Sequence, residues 1–178
     1  ANHRALGAVV QSAKEIGLTS ISFLAADLTS AAFNRPEGWL PERASRVALT
    51  SEELDALETE IEQLVREHRA DIDSGFIVES PQKLRRIVQH FRAHLGQAEN
   101  LAPRCNAPWV SAVIDASGDV RPCFFHPVLG NIHRHELAEI VNSPEALHFR
   151  SSLDVANNDI CRRCVCSLYI APDKLASH

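Results

Sequence analysis

The side chains of this sequence best equipped for chemistry are its five cysteines, Cys105, Cys123, Cys161, Cys164 and Cys166. Three of them crowd the stretch "DICRRCVC", Asp159 to Cys166. A Cys-x-x-Cys turn lets two thiolates point at one metal ion or cluster, and a second pair from elsewhere completes a four-thiolate set. Disulfides fit poorly, because the count is odd and no charged-then-apolar secretory segment opens the sequence. A reducing, cytoplasmic compartment is expected, where cysteines bind metal more often than they form bridges. A redox Cys-x-x-Cys normally opens a helix after a strand, whereas this pair comes close to the end. Between zinc and iron–sulfur the thiolates do not decide, since both accept four. The wide Cys105–Cys123 interval departs from the tight knuckles of zinc ribbons. His126 follows Cys123 by three positions, and His133 and His135 are near. Each is either a substitute zinc ligand or a surface or supporting histidine. Trp109 either shields the site or belongs to the core. Arg162 and Arg163 either balance its charge or lie in solvent.

These residues sit in an ordinary globular composition. The 178 residues are 45% hydrophobic and 23% charged, enough for one domain or two small ones with a core. A net charge of −5 argues against a broad nucleic-acid footprint. No apolar run approaches the roughly 18 residues of a membrane helix. Neither nucleic acid nor membrane is an expected partner. The opening "ANHRALGAVVQSAKEIG" reads as a helix already under way, and the sequence has no Met; a piece of a longer protein is expected.

The elements that must position the cysteines follow from periodicity. Leu6, Val9, Val10, Ala13 and Ile16 form one face of a first helix that Gly17 stops. "TSISFLAADL" reads as a buried strand, and Asp27 to Thr50 as a long loop of the kind that serves as a lid. Thr50 and Glu53 have capping-box spacing before a helix with Leu54, Leu57, Ile61, Leu64 and Val65 as its stripe. "SGFIVES" is a second strand. Ser80 and Pro81 then open a helix that faces the core through Leu84, Ile87, Val88, Phe91 and Leu95 and ends at Gly96. Alternation of this kind predicts parallel strands covered by helices. A linker is expected over 97–104. Beyond it, "WVSAVIDASGDVRPCFF" reads as a hairpin turning at Ser117-Gly118-Asp119, with Pro122 marking an edge or a short strand. Short helices follow at "HELAEIVN" and, capped by Ser143 with Pro144 next, at "SPEALHFRSSL".

One arrangement of these signals resembles a known family. The Cys105–Gly118–Cys123 spacing, the connector "LGNIHRHELAEIVNSPEALHFRSSL" and the later Cys161–Cys164 pair resemble the SPASM/Twitch auxiliary-cluster domain of radical S-adenosylmethionine (SAM) enzymes. Upstream, "NHRALGAVVQSAKEIGLTSISFL" is similar to the late barrel of the same family. The resemblance implies an α/β fold: residues 1–96 as the end of a partial (β/α)6 barrel, and 105–178 as a small α+β cluster-binding domain. It implies one auxiliary 4Fe-4S cluster, with Cys105, Cys123, Cys161 and Cys164 as ligands and Cys166 as an alternate. The cluster would pass an electron or hold the substrate, a peptide or small molecule. The family's Cys-x3-Cys-x2-Cys, which binds the SAM-cleaving cluster, is nowhere in these residues. SAM and a second 4Fe-4S cluster are therefore expected only in the longer parent, and the remainder of its barrel is the expected partner. Barrel chemistry sits at the C-terminal ends of strands, which makes Asp27, Thr29, Glu79 and Ser80 candidates to line the cleft. Asp, Ser and Thr favour such positions in any case, as helix caps or in solvated loops. The alternative from another class is a non-catalytic zinc-binding interaction module.

Overall fold

The structure, a computed structural model, describes residues 2–28, 30, 32 and 39–175. The chain forms two compact units, one of Ala1–Leu28 with Leu40–Asn100, the other of Thr29–Trp39 with Leu101–His178.

The first unit is built on helices α1 (Leu6–Glu15), α2 (Pro41–Ser45), α3 (Ser51–Glu67), α4 (Arg69–Asp73) and α5 (Pro81–His94). The start of α3 is fixed by a reciprocal cap. Thr50 Oγ1 accepts from Glu53 N at 3.3 Å, while Glu53 Oε2 accepts from Thr50 N at 3.0 Å. Helix α5 begins with Ser80 Oγ accepting from Lys83 N at 3.2 Å. Pro81 follows, where the helix needs no N–H. The apolar stripe of α3, Leu54, Leu57, Ile61 and Leu64, is buried, as are Leu84, Val88 and Phe91 of α5, and the two helices pack together. Ion pairs Glu62–Arg85 and Glu58–Arg92, both at 2.6 Å, decorate the rim of this contact. At such exposure each contributes about 0–1 kcal/mol, so burial of the stripe dominates. Helix α1 packs on α3 through Leu6, Val10 and Ala13. Glu60 of α3 accepts from Leu6 N and Gly7 N at 2.8 and 3.3 Å, satisfying donors that the first turn of α1 leaves open.

Four expectations for this unit change. Ile16 is 74% exposed rather than in the stripe, because it is the C-cap residue and leaves the helical face just before Gly17 turns at φ 76. Leu95, the C-cap of α5, is likewise exposed. The two expected strands are reduced to one parallel bridge, Ile21 with Ile77. Ile21 N donates to Phe76 O at 2.7 Å and Val78 N to Ile21 O at 3.0 Å. Beyond that point a side chain replaces the ladder: the Glu79 carboxylate accepts from Phe23 N and Ser22 Oγ, both at 2.8 Å. Within the expected Asp27–Thr50 loop, α2 is helical, and residues 29, 31 and 33–38 lie outside the described residues.

The second unit centres on a small antiparallel sheet, β1 (Val113–Ile114), β2 (Asp119–Arg121) and β3 (Gly130–Asn131), in the order β1-β2-β3. Ile114 faces Val120 and Val120 faces Gly130 across the ladders. Val120 is fully buried at their middle. The third strand is additional to the expected hairpin; two residues led by a glycine carry no alternating pattern. Short helices α6 (Ala107–Val110), α7 (Leu137–Val141), α8 (Pro144–Ser152), α9 (Asp159–Arg162) and α10 (Pro172–Leu175) surround it. Ile140 of α7 packs over Gly130, where a Cβ would meet its Cγ2 at 3.0 Å. Ser143 caps α8 by accepting from Ala146 N at 3.2 Å. Trp109, expected on a strand, lies in α6 and is 46% exposed. Pro108 supplies the fixed φ of a first helical turn, so the chain coils before it extends.

Candidate metal centre

Each cysteine is delivered by a local device. Cys105 precedes Asn106, whose side chain straps the tail alongside. Asn106 Nδ2 donates to Ile170 O at 2.7 Å, Asn106 Oδ1 accepts from Ile170 N at 2.9 Å, and Asn106 N donates to Leu168 O at 2.9 Å. The Arg104 guanidinium lies over the Tyr169 ring at 3.7 Å and also donates to its hydroxyl. Cys123 follows β2, so the hairpin turn sets its place. There Asp115 Oδ1 accepts from Ser117 N, Ser117 Oγ and Asp119 N at 2.9, 2.6 and 3.1 Å. Gly118 adopts φ 83, and a Cβ there would meet the His133 ring at 2.7 Å. Cys161 lies in α9 and Cys164 just beyond its C-cap, Arg163. Asn158 Oδ1 accepts from Ile160 N and Cys161 N at 3.0 and 3.1 Å, and Cys164 N donates to Cys161 O at 3.1 Å.

These devices bring Cys105, Cys123, Cys161, Cys164 and Cys166 to the wall of one pocket, whose other lining is mainly apolar, including Phe125, Leu153 and Ile160. No disulfide joins the five. Burial and the neighbouring Cys123 and Cys105 push the Cys161 thiol up to about 11. Burial pushes Cys164 to about 12, against a backbone N–H from Cys166. Cys123 is also raised by burial, partly offset by the N–H groups of Phe125 and His126. Such thiols are protonated at neutral pH. Ligation exchanges their protons for a cation, whose charge relieves the repulsion among them. Soft sulfur donors in an apolar wall suit iron–sulfur or zinc and suit calcium or magnesium badly. The donor set fits a thiolate-bound group. Among the described residues, no three His, Cys, Asp or Glu side chains form a group ready to hold a single metal ion.

The histidines separate clearly. His126 is 3% exposed, its Nε2 stands 3.4 Å from Cys161 Sγ, and its ring meets Phe149 edge-on at 4.9 Å. His133 and His135 are exposed; His133 packs at Gly118, and His135 Nδ1 lies 3.9 Å from Glu139. Arg163 is exposed and donates to Asp159 O at 3.2 Å, while Arg162 is half-buried.

In the first unit, Glu79 is 1% exposed and bonded to the facing segment, and Ser80 caps α5. Asp27 is half-buried within electrostatic reach of His90. Thr29 lies outside the described residues. A cavity in this unit is lined by His3, Ser22, Leu24, Arg46 and Phe91 among others, and Asp27, Glu79 and Ser80 are not in its lining. Sequence reasoning linked none of those residues to a site. It also missed the Asn106 strap, although "NDIC" carried a legible N-cap signal at Asn158.

Residues 105–165 match the family model of the SPASM iron–sulfur cluster-binding domain. No curated protein and no solved structure matches the chain. The matched segment begins at Cys105 and ends between Cys164 and Cys166, so it takes in the hairpin, the connector and the Cys161–Cys164 turn. Residues 105–165 of the second unit are thus similar to the SPASM iron–sulfur cluster-binding domain.

Proposed function

We propose that the chain is the C-terminal portion of a radical SAM enzyme. In this reading Cys105, Cys123, Cys161 and Cys164 hold one auxiliary 4Fe-4S cluster, the shorter Twitch arrangement, and Cys166 is an alternate ligand. One observation carries it: cysteines from a hairpin and from a distant tail line a single apolar pocket within the segment that matches the SPASM model. When bound, the cluster supplies a one-electron carrier, or a group that orients substrate. The protein's part is to set out the thiolates, exclude water with Phe125, Leu153 and Ile160, and lose thiol protons on assembly. Residues 1–96 are proposed as the end of a partial (β/α)6 barrel, a reading supported by the parallel Ile21–Ile77 pairing between helices. SAM and its cluster are assigned to the rest of the parent protein, because Cys-x3-Cys-x2-Cys does not occur here. The chain by itself is expected not to cleave SAM. Asp27, Thr29, Glu79 and Ser80 are the residues assigned to the cleft at the strand ends; Glu79 and Ser80 also bond within the fold. The substrate is a peptide or small molecule. Anaerobic reconstitution followed by iron, sulfide and zinc analysis tests the reading. About four iron and four sulfide per chain are expected; zinc without sulfide would overturn it.

A further inference from the structure

Among the described residues, His126 is the buried polar side chain of the second unit. Burying an imidazole is unfavourable unless its nitrogens find partners. The partner on the page is sulfur: His126 Nε2 lies 3.4 Å from Cys161 Sγ. The ring is clamped for that contact. Phe149 meets it edge-on at 4.9 Å, and the His126 carbonyl accepts from Arg121 Nη1 at 3.1 Å, tying this turn to β2. His126 and Cys161 also line the same pocket. A neutral imidazole offers one donor and one acceptor nitrogen. A metal-bound thiolate has no proton to give, so only an Nε2–H tautomer makes this contact favourable.

We propose that His126 Nε2–H donates a hydrogen bond to the sulfur of Cys161 when that sulfur is a cluster ligand, and so raises the cluster's reduction potential. The inference rests on the cluster reading above. Its physical basis is charge. The reduced cluster carries one more electron, spread partly onto its thiolates, and a donor at the sulfur stabilises that state more than the oxidised one. His126 is then a positioning residue that acts through Cys161, not a ligand.

Potentiometric titration of the reconstituted full chain tests this. His126→Leu removes the donor, and His126→Gln keeps an amide donor. The Leu variant should reduce about tenfold less favourably, a shift of about 59 mV to lower potential for one electron. The Gln variant should lie between it and the unaltered chain. A Leu variant with unchanged iron and sulfide and an unchanged midpoint would overturn the inference alone. Loss of the cluster from both variants would also overturn it, since His126 would then be a ligand or a scaffold. An unaltered chain that takes up no iron and sulfide would instead sink the cluster reading, and this inference with it.

Discussion

Cys164 and Cys166 stand two residues apart on the same pocket wall, and a four-thiolate site needs only one of them beside Cys105, Cys123 and Cys161. Cys161→Ala and Cys164→Ala should each lower iron retention by about tenfold or more after desalting, as loss of a ligand does at the least. Cys166→Ala should stay within about twofold of the unaltered chain. A large loss from Cys166→Ala with iron kept in Cys164→Ala would make Cys166 the fourth ligand. Gly118 offers a second test. Its φ of 83 is strained for any residue with a Cβ, and the His133 ring fills the space such an atom would need. Gly118→Ala should destabilise the second unit by about 1–3 kcal/mol in denaturant unfolding. Adding His133→Ala should recover only part of that, because the backbone strain remains. The glycine's place at a turn was legible in "ASGDV". The ring packed against it was not, since nothing in local spacing says that His133 returns to the hairpin.

Elements formed where their signals are local. The Thr50–Glu53 box, the Ser80–Pro81 and Ser143–Pro144 starts and the Gly17 stop all appear as read, because each needs only residues within about one turn of one another. Thr50→Ala should cost about 1 kcal/mol in unfolding free energy, with faster amide exchange at Glu53. Strand content was less legible. "TSISFLAADL" has strand composition, yet a ladder needs a neighbour, and Glu79 rather than backbone accepts from Phe23 N. The Asn106 strap is also invisible to periodicity, since its partners lie in the tail 64 residues on. Asn106→Ala removes both side-chain bonds to Ile170. It should speed exchange of the Ile170 amide and lower cluster retention while leaving α3 and α5 protected. Unchanged exchange at Ile170 would show that the tail is held by other contacts.

For the molecule as a whole, stability toward acid should depend on His90. Burial depresses its pKa below the ordinary 6.5, with the Ala26 backbone and Asp27 opposing that shift. As the pH falls through 6.5 the unfolded chain binds the proton first. The contribution of neutral His90 is thus complete above that value and is lost as the pH drops through the folded one. His90→Phe should flatten the decline in stability of the first unit as the pH falls below 6.5 in denaturant titrations; an unchanged slope would place the acid sensitivity elsewhere. The same division between near and far marks what the sequence alone determined. It settled the five cysteines, their resemblance to a cluster-binding pattern and the helix caps, since each is a matter of residue type and short spacing. Only the tertiary structure decided that the hairpin and the tail share one pocket. It alone set His126, rather than His133 or His135, against Cys161, 35 residues away. Through-space distance between remote segments follows from how turns, straps and packed side chains fold the chain back on itself, and no interval along the chain encodes it.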